Sequence, residues 1–319
     1  MRLLKLIPDN TNIPFMRWRL VALALSLLLI AGSVGLLATR GLNLGVDFVG
    51  GQLIQAKFAG PAPIEQVRER INALDLGDAN IQEFGRPDTV AIRMALPSGD
   101  SEAAAEAIER VKGAVAQAQP GVTFPQAEAV SGEVSRELAR DGGLALLLAI
   151  LGIAIYIWFR FEWQFGVGAI LTLFHDVAIT LGFFALTQLE VNLNVVAAFL
   201  TIVGYSLNDT VVVYDRIREN LRKYRKMEIV PLIDLSLNET LSRTIVTSLS
   251  IMLALAILLF VGPDVIFGLA AAILFGAIIG TYSTIYVSAP MLIWLGVGPN
   301  SFVPTAAPGD AERVATRTP

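Results

Sequence analysis

LVALALSLLLIAGSVGLLA, residues 20–38, runs without a single ionisable side chain. A hydrocarbon core about 30 Å thick needs roughly 20 apolar residues at about 1.5 Å each, so this stretch reads as a membrane-spanning helix. Arg17, Trp18 and Arg19 precede it and suit a headgroup boundary. A cleaved signal peptide shares the basic start, but its apolar core is only about 7–15 residues. The length of the run favours a retained anchor.

Five more runs have the same character: Leu144 to Phe159, Phe165 to Leu186, Leu193 to Val213, Ile245 to Val261 and Val265 to Leu295. The composition agrees, with 54% hydrophobic and 16% charged residues and a mean hydropathy of +0.62, against about 25% charged in an average soluble protein. Residues 57–141 alone read like ordinary soluble sequence. With no cysteine and a single histidine, disulfides, thiolate chemistry and imidazole-rich metal sites are excluded. The net charge of -4 gives no general nucleic-acid signal.

Six spans put both termini on one side of the membrane. Arg2, Lys5, Arg17 and Arg19 against Asp9 before the first span, and Arg216, Arg218, Arg222, Lys223, Arg225 and Lys226 after the fourth, place that side in the cytoplasm. The opposite connections, Thr187 to Asn192 and Gly262 to Asp264, carry no Lys or Arg. The long segment from Arg40 to Asp141 is then expected to face outward. The expected organisation is residues 1–39 for the N-terminus and first helix, 40–140 for the outward domain, 141–297 for a five-helix bundle, and 298–319 for a cytoplasmic tail. Within the bundle, 215–240 is expected to form a cytoplasmic amphipathic loop.

The outward domain reads as β-α-β-β-α-β. Gln52 to Phe58, Asn80 to Phe84, Thr89 to Leu96 and Val122 to Ala129 are the strands; Pro63 to Leu74 and Ser101 to Ala118 are the helices. That order is the ferredoxin-like arrangement. The domain has no cluster of His, Ser and carboxylates, which favours a binding or moving module over an enzyme.

Charges inside the spans carry the functional signal. A charged side chain at the bilayer centre costs about 2.5–3.5 kcal/mol even on the lenient insertion scale, so it faces a polar interior and usually has a task. His175 and Asp176 lie near the middle of the third span and Asp209 in the inner half of the fourth. Around Asp209, Ser206 and Thr210 share a helical face, Asn208 adds a further polar group, and Gly204 permits close approach of another helix. Arg243, just before the fifth span, is placed to turn back toward Asp209. A separable pair would switch proton affinity; a fixed pair would only orient two helices. For His175 and Asp176 the alternative task is a hydrogen bond to a neighbouring span. Ile217, Leu221 and Tyr224, with basic residues around them, suit a helix lying on an anionic leaflet or a topology-setting charge cluster.

Leu44-Gly45-Val46-Asp47-Phe48-Val49-Gly50-Gly51, His175-Asp176-Val177, the run from Gly204 to Thr210 leading into Asp215-Arg216-Ile217-Arg218-Glu219-Asn220, and Ser242-Arg243-Thr244 together resemble the SecF family. These are subunits of the bacterial Sec protein-translocation accessory complex, within the resistance-nodulation-division superfamily. The resemblance covers nearly the whole chain. Val46 and Val49 vary the usual glycine-rich motif, and the tail after Gly298 carries no recognisable motif.

The resemblance implies an accessory subunit, not an enzyme and without cofactor or metal, driven by the proton-motive force. It implies SecD as partner, the SecYEG channel, translocating preproteins and membrane lipids as contacts, and YajC and YidC as further candidates. It places the family's proton-pathway acid on Asp209 and the partnering arginine on Arg243. A carboxylate serves protons or sodium equally well. Two other readings stand beside it: a half-size exporter of the same superfamily, and an intramembrane aspartyl protease using Asp176 and Asp209 as its acid pair, for which the expected Gly-x-Gly-Asp element is missing.

Overall fold

The computed structural model describes Pro8 and residues 11–84, 86–97 and 101–298. Arg2, Lys5, Asp9, Gly85 and the tail from Pro299 lie outside the described residues. Helix α1 (Arg19–Arg40) is entered through a 3-10 turn, Phe15–Trp18. A short helix α2 (Val46–Val49) leads into β1 (Gly51–Lys57), α3 (Ile64–Asn72), β2 (Ala79–Phe84), β3 (Arg86–Met94), α4 (Ser101–Ala118) and β4 (Thr123–Val130). Then follow α5 (Gly132–Arg160), α6 (Trp163–Thr187), α7 (Leu193–Lys223), α8 (Ile229–Val261) and α9 (Phe267–Ser283), which continues through a π turn, Thr284–Ser288, into α10 (Ala289–Trp294). Six helical segments are long and apolar enough to cross a membrane, from Phe15–Arg40 to Asp264–Trp294. The chain is a multi-pass membrane protein.

The four strands form one antiparallel sheet in the order β2-β3-β1-β4, the ferredoxin-like topology. Alternation sorts its two faces. Ile54, Ala56, Val90 and Ile92 pack on Val67 and Ile71 of α3 and Ile108, Val111 and Val115 of α4. The opposite face, with Lys57, Thr89 and Arg93, is turned to the membrane helices. There Arg93 Nη2 meets Glu190 Oε2 at 2.6 Å and Lys57 Nζ meets Asp264 Oδ2 at 2.8 Å, so the sheet rests on the α6–α7 and α8–α9 connections. Gly50 and Gly51 take φ of +75° and +115°. At Gly51 a Cβ would stand 2.7 Å from the Met94 carbonyl oxygen, which is why the sheet can begin there only with glycine.

Two expected boundaries move. The second span is the end of a helix that begins at Gly132, still beside the soluble domain. The segment 215–240 is not a loop. Residues 215–223 continue α7, and 229–240 open α8 after a turn at 224–228. The apolar stripe of Ile217 and Leu221 therefore does not lie on a leaflet; both are buried against Leu232 and Ile233 of the returning helix. An amphipathic face accepts whichever apolar partner is tethered nearest, and α8 is joined to it by five residues, 224–228.

Lipid exposure is uneven. On α5, Leu147, Leu148, Leu151 and Ile155 face outward, whereas α6 and α7 are the most buried spans. Helix α1 seats on α6 because Gly182 leaves room for Ser33, whose side chain fills the space a Cβ would occupy. Gly182→Leu should therefore lower stability by about 1–3 kcal/mol or more through overpacking. Gly152→Leu, at a position open to the surroundings, should leave it unchanged. Thermal unfolding of the two variants in one detergent checks the difference.

Candidate functional site

Asp176 lies at the crossing of α6, α7 and α9 with 1% of its surface exposed. Its Oδ2 accepts hydrogen bonds from Ser206 Oγ on α7 and from Ser283 Oγ on α9, the latter at 2.9 Å. Its Oδ1 is 2.8 Å from His175 Nδ1. His175 Nε2 lies 3.1 Å from Ser26 Oγ on α1, and Ser26 lies 3.0 Å from the Tyr282 hydroxyl, which donates to the Ala22 carbonyl. Neighbours on a helix point about 100° apart, yet His175 bends back onto the adjacent carboxylate. One polar network thus ties four spans together. The connectivity Ser26–His175–Asp176 is that of an acyl-transfer triad, but all three groups are buried and the serine hydroxyl abuts Tyr282.

One turn along α7, Asp209 forms a separate centre. It is 7% exposed; Oδ1 accepts from Thr244 Oγ1 of α8 at 3.2 Å, and Oδ2 is buried without a partner among the described residues. Arg243 does not turn back to it as a salt-bridge partner. Its side chain lies at the exposed surface of α8. The reason is helical: Thr244 faces Asp209, so its neighbour is rotated about 100° away. No salt bridge joins Asp209 to Arg243, and one Asp209 oxygen has no hydrogen-bond partner among the described residues.

The remaining candidates separate. Thr210 lies 3.1 Å from Thr284 Oγ1 in the π turn, and below it the Tyr214 hydroxyl donates to the Ser288 carbonyl. A π turn widens a helix by one residue; here it is followed by Pro290, which has no N–H to give. Asn208 faces outward and belongs to neither centre. Gly204 meets no helix of this chain, since a Cβ there would have nothing within 4 Å. Asp176 and Asp209 each have their own partners and do not contact each other, unlike a protease dyad sharing a proton.

Several groups escaped sequence reasoning, among them Ser26, Tyr282 and Thr284. Asp47 Oδ2 accepts from the Leu193 backbone N–H at 2.9 Å, capping α7 beside Asn192. Ser283 was hidden in a run of small residues with no charge to mark it. Asp47 stood in the sequence only as one member of the motif at residues 44–51, with nothing to assign it a capping role.

Known proteins provide the context for this geometry. Residues 35–62 match the family model of the SecD/SecF GG motif, and residues 110–298 match that of the protein export membrane protein SecD/SecF, C-terminal. The chain is 44% identical over 300 residues to the protein translocase subunit SecF of Cereibacter sphaeroides, covering 92% of this chain and 93% of that one. It is 40% identical to part of the protein translocase subunit SecDF of Brucella abortus, covering 93% of this chain but 39% of the longer protein. The crystal structure of SecDF from Thermus thermophilus, a translocon-associated membrane protein, superposes with a TM-score of 0.81 at 34% identity, over 91% of this chain and 39% of that one.

Ser206 and Ser283 share one carboxylate oxygen, which gives a stability test. Ser206→Ala and Ser283→Ala should each cost about 1 kcal/mol. The double variant should cost more than the sum, because the oxygen is then left with no donor. Melting temperatures of the four proteins check this; strict additivity would mean that the hydroxyls act independently.

Proposed function

This chain belongs to the SecF family of protein translocase subunits, and from that footing we propose that it is the ion-driven half of an export motor completed by SecD. The observation that carries the proposal is a mechanical one. Asp47, in the segment that leads into β1, caps the N-terminus of α7, and α7 also carries Asp209. At 1.5 Å per residue the two ends of that link stand about 24 Å apart along the helix. A change of protonation at Asp209 that tilts α7 therefore moves the attachment of the soluble domain.

The chemistry at Asp209 suits such a step. An oxygen that is buried and unpaired is costly when charged, and protonation removes that cost. The outward-lying Arg243 supplies the countercharge when the carboxylate is ionised. A proton moving inward down 100 mV releases about 2.3 kcal/mol, enough to shift a two-state equilibrium about 50-fold. The His175–Asp176 network, with every acceptor occupied, is the fixed axle against which α7 moves. No covalent step is required, so the chain acts without being an enzyme, cofactor or metal site.

A partner is needed on chemical grounds. Asn194, Ala197, Thr201, Gly204 and Asn208 form an exposed, small and polar stripe on α7, continued by Arg243, Thr247 and Ser250 on α8. Such a surface is costly against lipid and fits a second polar surface. SecD, fused to the SecF-like half in the SecDF relatives, fills that place. The bacterial inner membrane with both termini inside, the periplasmic domain, and contacts with SecYEG, preproteins, and YajC or YidC belong to the same proposal.

Asp209→Asn should assemble with SecD but lose stimulation of export under a proton gradient in liposomes that also contain the channel. Normal stimulation by that variant would sink the proton role, and stimulation restored by a sodium gradient alone would assign the coupling to sodium. Arg243→Met should weaken the response in the same assay with assembly unchanged; lost assembly would make its role structural.

A further inference from the structure

The hydrogens along the contacts that run from α1 to Asp176 have only one arrangement. The Ala22 carbonyl can only accept, so the Tyr282 hydroxyl donates its single hydrogen there at 2.7 Å. At the 3.0 Å contact between Tyr282 and Ser26 the phenol has no hydrogen left, and the Ser26 hydroxyl is the donor. Ser26 then has none for the ring. At its 3.1 Å contact with His175 Nε2 the hydrogen comes from the imidazole, which fixes Nε2 as an N–H.

On the other side of the ring, Nδ1 lies 2.8 Å from Asp176 Oδ1. A bare Nδ1 there would set its lone pair against those of the carboxylate, so a hydrogen lies between them. Oδ2 does not carry it, because that oxygen already accepts from Ser206 and Ser283. A carboxyl group that accepts on both oxygens is an ionised one. The hydrogen belongs to the imidazole, which is therefore protonated on both nitrogens.

Charge balance inside the bundle requires the same. His175 and Asp176 are both buried, and they are the only ionic residue types between positions 163 and 187. Residues 20–38, 193–208 and 267–283, which supply the spans packed round them, contain no Asp, Glu, Lys or Arg. Beside a neutral ring, the Asp176 carboxylate would stand in the membrane without a cation. With the ring protonated, the pair is neutral as a whole. Tyr282 adds a second feature of a cation site: its ring lies 6.1 Å from the imidazole at 26°, presenting a π face to it.

We propose that the His175–Asp176 pair is a binding site for one resident proton, carried on His175 Nδ1 and held against Asp176 Oδ1. This proton closes the network that joins α1 to α6, α7 and α9. Its loss would leave Nδ1 and Oδ1 facing each other without a hydrogen and an uncompensated charge in the bundle core, so the site keeps it while the packing holds. It is distinct from any ion that moves at Asp209, and the site stands whether or not Asp209 carries the coupling.

The chain contains a single histidine, so nitrogen-labelled histidine reports this ring alone. In the full chain, reconstituted in lipid nanodiscs at neutral pH, nitrogen NMR distinguishes a protonated ring nitrogen from a bare one. Both should be protonated in the wild type. A bare Nε2 would overturn the order of donors from Tyr282 to the ring, and a bare Nδ1 would overturn the resident proton. Asp176→Asn should lose the Nδ1 proton and leave a neutral ring; two protonated nitrogens in that variant would remove the carboxylate as the proton's partner. Asp209→Asn should keep both signals, and loss of either would make the proton part of the Asp209 path instead of a resident one. The wild-type spectrum decides the matter even where Asp176→Asn does not fold.

Discussion

A carboxylate in the centre of an apolar bundle has to be met on every side by donors, and at Asp176 those donors come from different spans. Ser206, Ser283 and His175 each satisfy part of it, and Ser26 extends the network to α1. In water a hydroxyl lost from one helix is replaced by solvent; inside a membrane nothing replaces it. The positions of α1, α6, α7 and α9 relative to one another are therefore tied to the need to complete one carboxyl group's hydrogen bonds. The small residues that let these helices approach, Gly182 opposite Ser33 among them, make that completion geometrically feasible.

Against this fixed point, the rest of α7 is set up differently. Asp209 stands one turn from Ser206 but has only Thr244 as donor and one oxygen unmet. Fully satisfied polar networks rigidify, and partly satisfied ones have a second arrangement within reach. The contrast between two aspartates in the same bundle is thus a contrast between a carboxyl group with donors on both oxygens and one with an oxygen left unmet among the described residues. The first turn of the same helix is capped by Asp47, and Leu44 pairs with Val191 just before it, so α7 is tied directly to the segment that leads into the sheet. The ion pairs of Arg93 with Glu190 and of Lys57 with Asp264 hold that sheet through polar contacts, beside a small apolar cluster of Val46, Leu53 and Ala91.

Hydropathy alone revealed six spans, because the requirement for roughly 20 apolar residues is imposed by bilayer thickness and does not depend on neighbours. Alternation and helical spacing likewise revealed β-α-β-β-α-β between residues 51 and 130, because strand and helix periods differ and Gly, Pro and Asp punctuate the sequence between them. The stretch 215–240 misled for the opposite reason. A basic amphipathic helix has the same pattern whether its apolar side meets lipid or α8, and only the short turn at 224–228 decided between them.

The site divides along the same line. Sequence by itself determined that His175, Asp176 and Asp209 are in the membrane and must face a polar interior, since a lone charge there is too costly to leave against lipid. It could not determine which donor each would find. Those donors are serines and threonines separated by as many as 149 residues, as with Ser26 and His175, and small hydroxyl residues are common in any membrane helix. Only the packing of the bundle decided that Asp176 would be completed, that Asp209 would not, and that Arg243 would look outward, because rotation of a helix by one residue changes every partner on its face.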